Sequence, residues 1–182
     1  MMTLLKLALR TQSLFKDYYL AGGTAIMFKY NHRTSIDLDF FRRRPFSYNK
    51  VAVTMRKKFK ITTEERMNDN VDFFVEGKRI SFVFFPFRNV HPLQDIKGLK
   101  AADDYDIFLN KIYSAGRRVT PKDPYDAAYL YNLYNWPKCA IKKDFERKFP
   151  DQSYELYLGA LMSFEDYPDV DTKTRRILSR LL

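Results

Sequence analysis

Among the 182 residues there is a single cysteine, Cys139, so no intrachain disulfide can form. The two histidines, His32 and His91, do not join it in a convincing zinc-ligand pattern. A chain this poor in thiols suits a reducing compartment, and a cytoplasmic location is the expectation. Glycine is scarce, with six residues, and no Gly/Ser tract, repeat or low-complexity run divides the chain. No apolar run approaches the length needed to cross a bilayer, so no membrane partner is expected. The start, Met1-Met2-Thr3-Leu4-Leu5-Lys6, has too short an apolar part for a signal peptide and lacks a small-residue cleavage site. Several chemical signatures are missing too. No Gly-Lys-Ser/Thr completes a Walker A loop, and no G-x-G-x-x-G supports a dinucleotide site. No Gly-x-Ser-x-Gly elbow or Cys/His pair points to a hydrolase.

What the chain has in abundance is positive charge and aromatic surface. The formal charge is +10, and a field of that sign draws RNA, DNA or nucleoside triphosphates, although it also serves solubility. Hydrophobic residues make up 46%, with 13 Tyr and 16 Phe, which supports a well-buried core.

Periodicity divides the chain into an early mixed part and a late helical part. Helices are expected over 3–16, 24–30 and 48–58, the last capped by Ser47. Strands are expected over 18–21, 36–41, 59–66, 71–76 and 79–85, with Glu76-Gly77-Lys78 as a hairpin turn. After Pro92 only helices are expected, over 103–115, 124–135, 138–148, 152–164 and 172–181. The fold class is therefore α+β (mixed α/β). A small twisted mixed sheet flanked by helices occupies residues 1–100, and a helical lobe over 101–182 packs against it.

Two aspartates interrupt an apolar strand at Ser35-Ile36-Asp37-Leu38-Asp39-Phe40-Phe41. Side chains at i and i+2 share a face, so Asp37 and Asp39 converge while Ile36, Leu38 and Phe40 face the core. Their Cα atoms should lie about 6.5–7 Å apart. Paired carboxylates repel unless a cation neutralises them, and Mg²⁺ prefers such oxygens. The alternatives are an exposed edge strand kept soluble by its charge, or pairing by a neighbouring Lys or Arg. About a dozen residues earlier, Gly22-Gly23-Thr24 follows a strand and opens a helix. There backbone N–H groups can approach an anion, and Thr24 can cap the helix or donate to phosphate. Taken alone, this tripeptide is better explained as an ordinary strand–turn–helix corner.

Taken together, Tyr19-Leu20-Ala21-Gly22-Gly23-Thr24-Ala25 and His32-Arg33-Thr34-Ser35-Ile36-Asp37-Leu38-Asp39-Phe40-Phe41 resemble the AbiEii/AbiGii-type nucleotidyltransferases, within the superfamily that includes DNA polymerase beta. Weaker matches follow at Asp106-Ile107-Phe108-Leu109-Asn110-Lys111 and Lys122-Asp123-Pro124-Tyr125-Asp126. The resemblance implies that Gly22, Gly23 and Thr24 hold a triphosphate, with Arg33 and Ser35 beside it. It implies that Asp37 and Asp39 bind Mg²⁺, that Lys111 contacts phosphate and that Asp123 completes the site. Relatives studied as toxins are thought to add nucleotides to tRNA ends under restraint by an antitoxin. Ser81 stands where a third carboxylate is often found, with Asp72 as a possible substitute, and Lys122 replaces an arginine.

The residues also allow plainer readings. Lys111 borders an apolar helical stripe and could be merely solvated. Asp123-Pro124 suits a helix N-cap followed by a first-turn proline, yet Asp123, Ala127, Leu130 and Tyr134 also form a stripe that should face the other lobe. Arg42, Arg43 and Arg44 follow the aspartate strand and, at the mouth of the site, would suit an RNA backbone. The expected function is NMP transfer from an NTP to RNA, with tRNA as acceptor, by a toxin with a cognate antitoxin. The alternatives are a degenerate member that binds RNA or a protein without chemistry, and one that modifies a protein such as its antitoxin.

Overall fold

Period-two and period-3.6 patterning resolves into alternating strands and helices in the first half of the chain and helices in the second. The computed structural model describes residues 2–182. Helix α1 (Leu4–Leu14) starts at Thr3, whose hydroxyl accepts from the Lys6 N–H. Strand β1 (Tyr19–Ala21) leads into α2 (Gly23–Tyr30), and β2 (Asp37–Arg42) follows. Helix α3 (Tyr48–Lys58) is capped by Ser47 as expected. Strands β3 (Ile61–Arg66), β4 (Asn70–Val75) and β5 (Lys78–Phe84) form a meander. Its β4–β5 turn places Glu76 and Gly77 at φ 48° and 73°, the left-handed pair that a tight hairpin needs.

Past Pro92 the sequence reading is corrected. Two further strands, β6 (Gln94–Ile96) and β7 (Leu99–Ala101), form a hairpin around Lys97-Gly98. Three residues per strand are too few for alternation to show in sequence. The helices that follow are α4 (Asp104–Ala115), α5 (Lys122–Tyr134), α6 (Lys138–Lys148), α7 (Tyr154–Leu161) and α8 (Thr172–Leu178), with a 3-10 turn at Ser179–Leu181.

The seven strands form one mixed sheet in the order β3-β4-β5-β2-β1-β7-β6. Strand β2 runs antiparallel to β1 and parallel to β5. The fold is thus mixed α+β. The chain divides into two compact units: residues up to Arg88 with Pro92–Ala102, and Asn89–His91 with Asp103–Leu182.

In the first unit, Leu38, Phe40, Phe73, Ile80 and Phe82 are fully buried. Phe82 meets the rings of Phe15 and Tyr18, at 4.5 and 5.1 Å between centroids. In the second unit α4 is buried along almost its whole length. There Asp106 accepts from the backbone N–H groups of Val90 and His91 at 2.8 and 2.9 Å, and from the Lys148 ammonium at 2.6 Å. This fastens residues 89–91 to the helical unit. Burial works against the charge on Lys148 and lowers its pKa despite Asp106. Among the tyrosines of α5, Tyr131 is buried and stacks on Phe108, whereas Tyr125 and Tyr134 are partly exposed.

Candidate functional site

The aspartate strand begins one residue later than the sequence pattern suggests. Ile36 lies outside β2 and is 59% exposed rather than in the core. Leu38 and Phe40 do face the core, so Asp37 and Asp39 share the opposite, partly open face.

The glycine turn lies directly against Asp39. Ala21 pairs with Asp39 across the β1–β2 ladder, so Gly22 emerges beside that carboxylate. Gly22 is the N-cap of α2 at φ 74°, ψ −172°, a region open essentially to glycine alone. A Cβ there would sit 2.6 Å from Asp39 Oδ2. The turn and the strand thus build one surface, in which the positive end of α2 meets a carboxylate. Thr24 is inside the helix and is not its cap. It is 1% exposed, donates its hydroxyl to the Asp37 carbonyl and meets the Ser35 hydroxyl at 2.7 Å. Thr24 and Ser35 therefore hold the start of β2 in place. Arg33 donates to the Thr34 carbonyl at 3.0 Å.

Strand pairing answers a question of register that the sequence leaves open. Asp39 is opposite Ser81, and Ser81 is opposite Asp72, so all three share one face. Ser81 is thus the β5 residue opposite Asp39, and Asp72 lies one strand further out. Asp72 is 4% exposed and accepts from the Asn70 amide at 2.8 Å.

A residue missed in the sequence occupies the middle of this face. Arg79, opposite Asp37, lies 3.4 Å from Asp37 Oδ1, 4.0 Å from Asp39 Oδ1 and 3.6 Å from Asp72 Oδ2. It is the neighbouring cation that was one alternative to metal for the paired aspartates. Its position two residues before Ser81, hence on the same face, was the available signal.

The carboxylate oxygens of Asp37 and Asp39 are of the donor type that Mg²⁺ prefers, and an ion there would complete its shell with phosphate and water oxygens. Among the described residues no group of three His, Cys, Asp or Glu gathers as a metal cluster.

The Arg run is placed differently from the sequence expectation. Arg42 ends β2 on the face opposite Asp37 and Asp39, beneath which Tyr18 and Asp17 receive it. It is about 16 Å along the strand from Asp37 at the usual rise per residue. Arg43 and Arg44 are exposed beyond it.

In the helical unit, Lys111 is 5% exposed and not solvated. Its ammonium reaches Asp123 Oδ1 at 2.7 Å and Asp126 Oδ2 at 2.8 Å. Arg118 adds a second cation, 3.0 Å from Asp123 Oδ2. Burial opposes the Lys111 charge, but Asp126 and Asp123 outweigh it and raise its pKa. The capping reading of Asp123 is corrected. Helix α5 starts at Lys122 with Pro121 at the N-cap, so Asp123 is inside the first turn and points to the two cations.

The profile of a protein family described as nucleotidyl transferase AbiEii toxin, type IV toxin–antitoxin system, matches residues 4–98. The chain belongs to the AbiEii nucleotidyl transferase family. That match contains Gly22, Asp37, Asp39, Asp72 and Arg79. An uncharacterised protein of Aquifex aeolicus (strain VF5) is 30% identical over 167 residues, which is 85% of this chain and 80% of that protein. The crystal structure of JHP933 from Helicobacter pylori shares the fold, with a TM-score of 0.50 and 17% identity over 97% of this chain and 94% of that one. No helix among the described residues is long and apolar enough to cross a membrane.

Proposed function

We propose that this AbiEii-family chain transfers a nucleoside monophosphate from an NTP to an RNA acceptor, the end of tRNA, as a toxin restrained by a cognate antitoxin. The observation that carries the chemistry is the contact between turn and strand. Asp37 and Asp39 share one face of β2, and Gly22 has no Cβ because Asp39 fills that space. The positive end of α2 would receive triphosphate oxygens through backbone N–H groups. Asp37 and Asp39 would hold Mg²⁺, which when bound neutralises triphosphate charge and makes the attacking hydroxyl more acidic. Thr24 and Ser35 would keep the Asp37 end of β2 in register during this binding. The resemblance gives Lys111 and Asp123 roles of their own, and within the helical unit they are paired with each other. By charge and exposure Arg43 and Arg44 would contact RNA, and the net charge of +10 supports a polyanionic acceptor.

Purified protein incubated with each labelled NTP, Mg²⁺ and total tRNA should label RNA, and Asp39→Asn should abolish the label. Label on a co-expressed partner protein instead of RNA would replace the acceptor. Absence of transfer to any RNA or protein with all four NTPs would overturn the reading.

A further inference from the structure

Arg79 is held by charge rather than by hydrogen bonds. Its guanidinium lies 3.4–4.0 Å from three carboxylates, beyond the 2.7–2.9 Å expected of a tight charge-assisted fork. Its Nε is buried yet makes no hydrogen bond. Strand β5 lies between β2 and β4, so Arg79 has Asp37 and Asp39 on one flank and Asp72 on the other. Ser81, small and uncharged, separates Asp39 from Asp72 on that face. A third acid at Ser81 would add to the paired aspartates. One strand further out, at Asp72, a carboxylate can instead hold the arginine.

We infer that Arg79 is a displaceable countercation that occupies Asp37 and Asp39 until a divalent ion binds, with Asp72 as the carboxylate that receives it. This inference rests on the reading of Asp37 and Asp39 as the metal-binding pair. One guanidinium is shared among three carboxylates, and a divalent cation can take its place at Asp37 and Asp39. Arg79 and the ion cannot both sit against Asp37 and Asp39 without strong like-charge repulsion. Arg79 therefore sets the affinity of the site for metal, and Asp72 relieves that competition by holding the guanidinium aside. The β2–β5–β4 register lets this happen through side-chain movement alone.

The test is calorimetric or paramagnetic titration of the full chain with Mn²⁺ alone, without nucleotide. Arg79→Met should tighten Mn²⁺ binding about tenfold, a figure that discounts the bare Coulomb repulsion for the exposure of the guanidinium. Arg79→Gln should tighten it in the same direction, and thermal unfolding of both variants verifies that they are folded. Asp72→Asn should weaken Mn²⁺ binding about fivefold by returning Arg79 to Asp37 and Asp39. In the Arg79→Met background, Asp72→Asn should have no further effect. Unchanged or weaker binding in folded Arg79→Met and Arg79→Gln overturns the inference. So does an Asp72→Asn effect that persists without Arg79, because Asp72 would then be a metal ligand itself. Failure of the underlying reading looks different: Mn²⁺ binding would be indifferent to Asp37→Asn, and both proposals would fall.

Discussion

Replacing Gly22 with alanine tests whether the turn and the aspartate strand form one site. Two separable penalties act at this position. The backbone at φ 74°, ψ −172° costs a non-glycine residue about 1–3 kcal/mol. In addition, the new Cβ would fall 2.6 Å from Asp39 Oδ2, so the carboxylate must turn away. Gly77 supplies the control. It too has a positive φ, 73°, but a Cβ there would meet nothing within 4 Å. Gly77→Ala should therefore cost only the conformational strain, about 1 kcal/mol, or about 2–4 °C in melting temperature for a chain of this size. Gly22→Ala should cost about 2–3 kcal/mol and also weaken Mn²⁺ binding about 10–100-fold, the range typical of disturbing a group that orients a metal ligand. Differential scanning calorimetry and Mn²⁺ titration of both variants measure the two effects. If Gly22→Ala matches Gly77→Ala in both measurements, the close approach of Gly22 to Asp39 has no role in the site.

Three further outcomes are expected. Lys111→Met leaves Asp123 and Asp126 buried without their shared ammonium, so urea unfolding should report a loss of about 3–5 kcal/mol, and a loss below about 1 kcal/mol would refute the structural role of the cluster. Because the Lys111 pKa is raised above its ordinary 10.5, its contribution is complete below that pH and is lost as pH rises through the higher folded value. The wild-type unfolding midpoint should thus fall more steeply than that of Lys111→Met above about pH 10. Ser47→Ala removes the hydroxyl that accepts from the Lys50 N–H at the start of α3 and should destabilise the protein by about 1 kcal/mol in the same unfolding assay, with no change in Mn²⁺ binding.

Local patterns in the chain were enough to identify much of this architecture. Helices α3 and α6 begin and end where their periodicity places them, and the Ser47 cap is as read. The shared face of Asp37 and Asp39 follows from the two-residue repeat of a strand and needs no knowledge of neighbours. The Glu76-Gly77 turn was also legible, because left-handed backbone has a residue signature. The β6–β7 hairpin was not, since its three-residue strands carry no measurable alternation. Asp123 looks like a cap in sequence because Asp before Pro commonly is one, but helix α5 begins two residues earlier than expected, at Lys122, and the carboxylate goes to Lys111 and Arg118.

By itself, then, the sequence determined the two aspartates on one face, the glycine turn and the basic balance of the chain, because each depends on residues a few positions apart or on composition. Tertiary structure decided which strands lie beside Asp37 and Asp39. Pairing across a sheet joins residues far apart in the chain, and no local repeat reports it. It set Asp39, Ser81 and Asp72 in one row, put Arg79 among three carboxylates, and used Asp39 to fill the space a side chain at Gly22 would need.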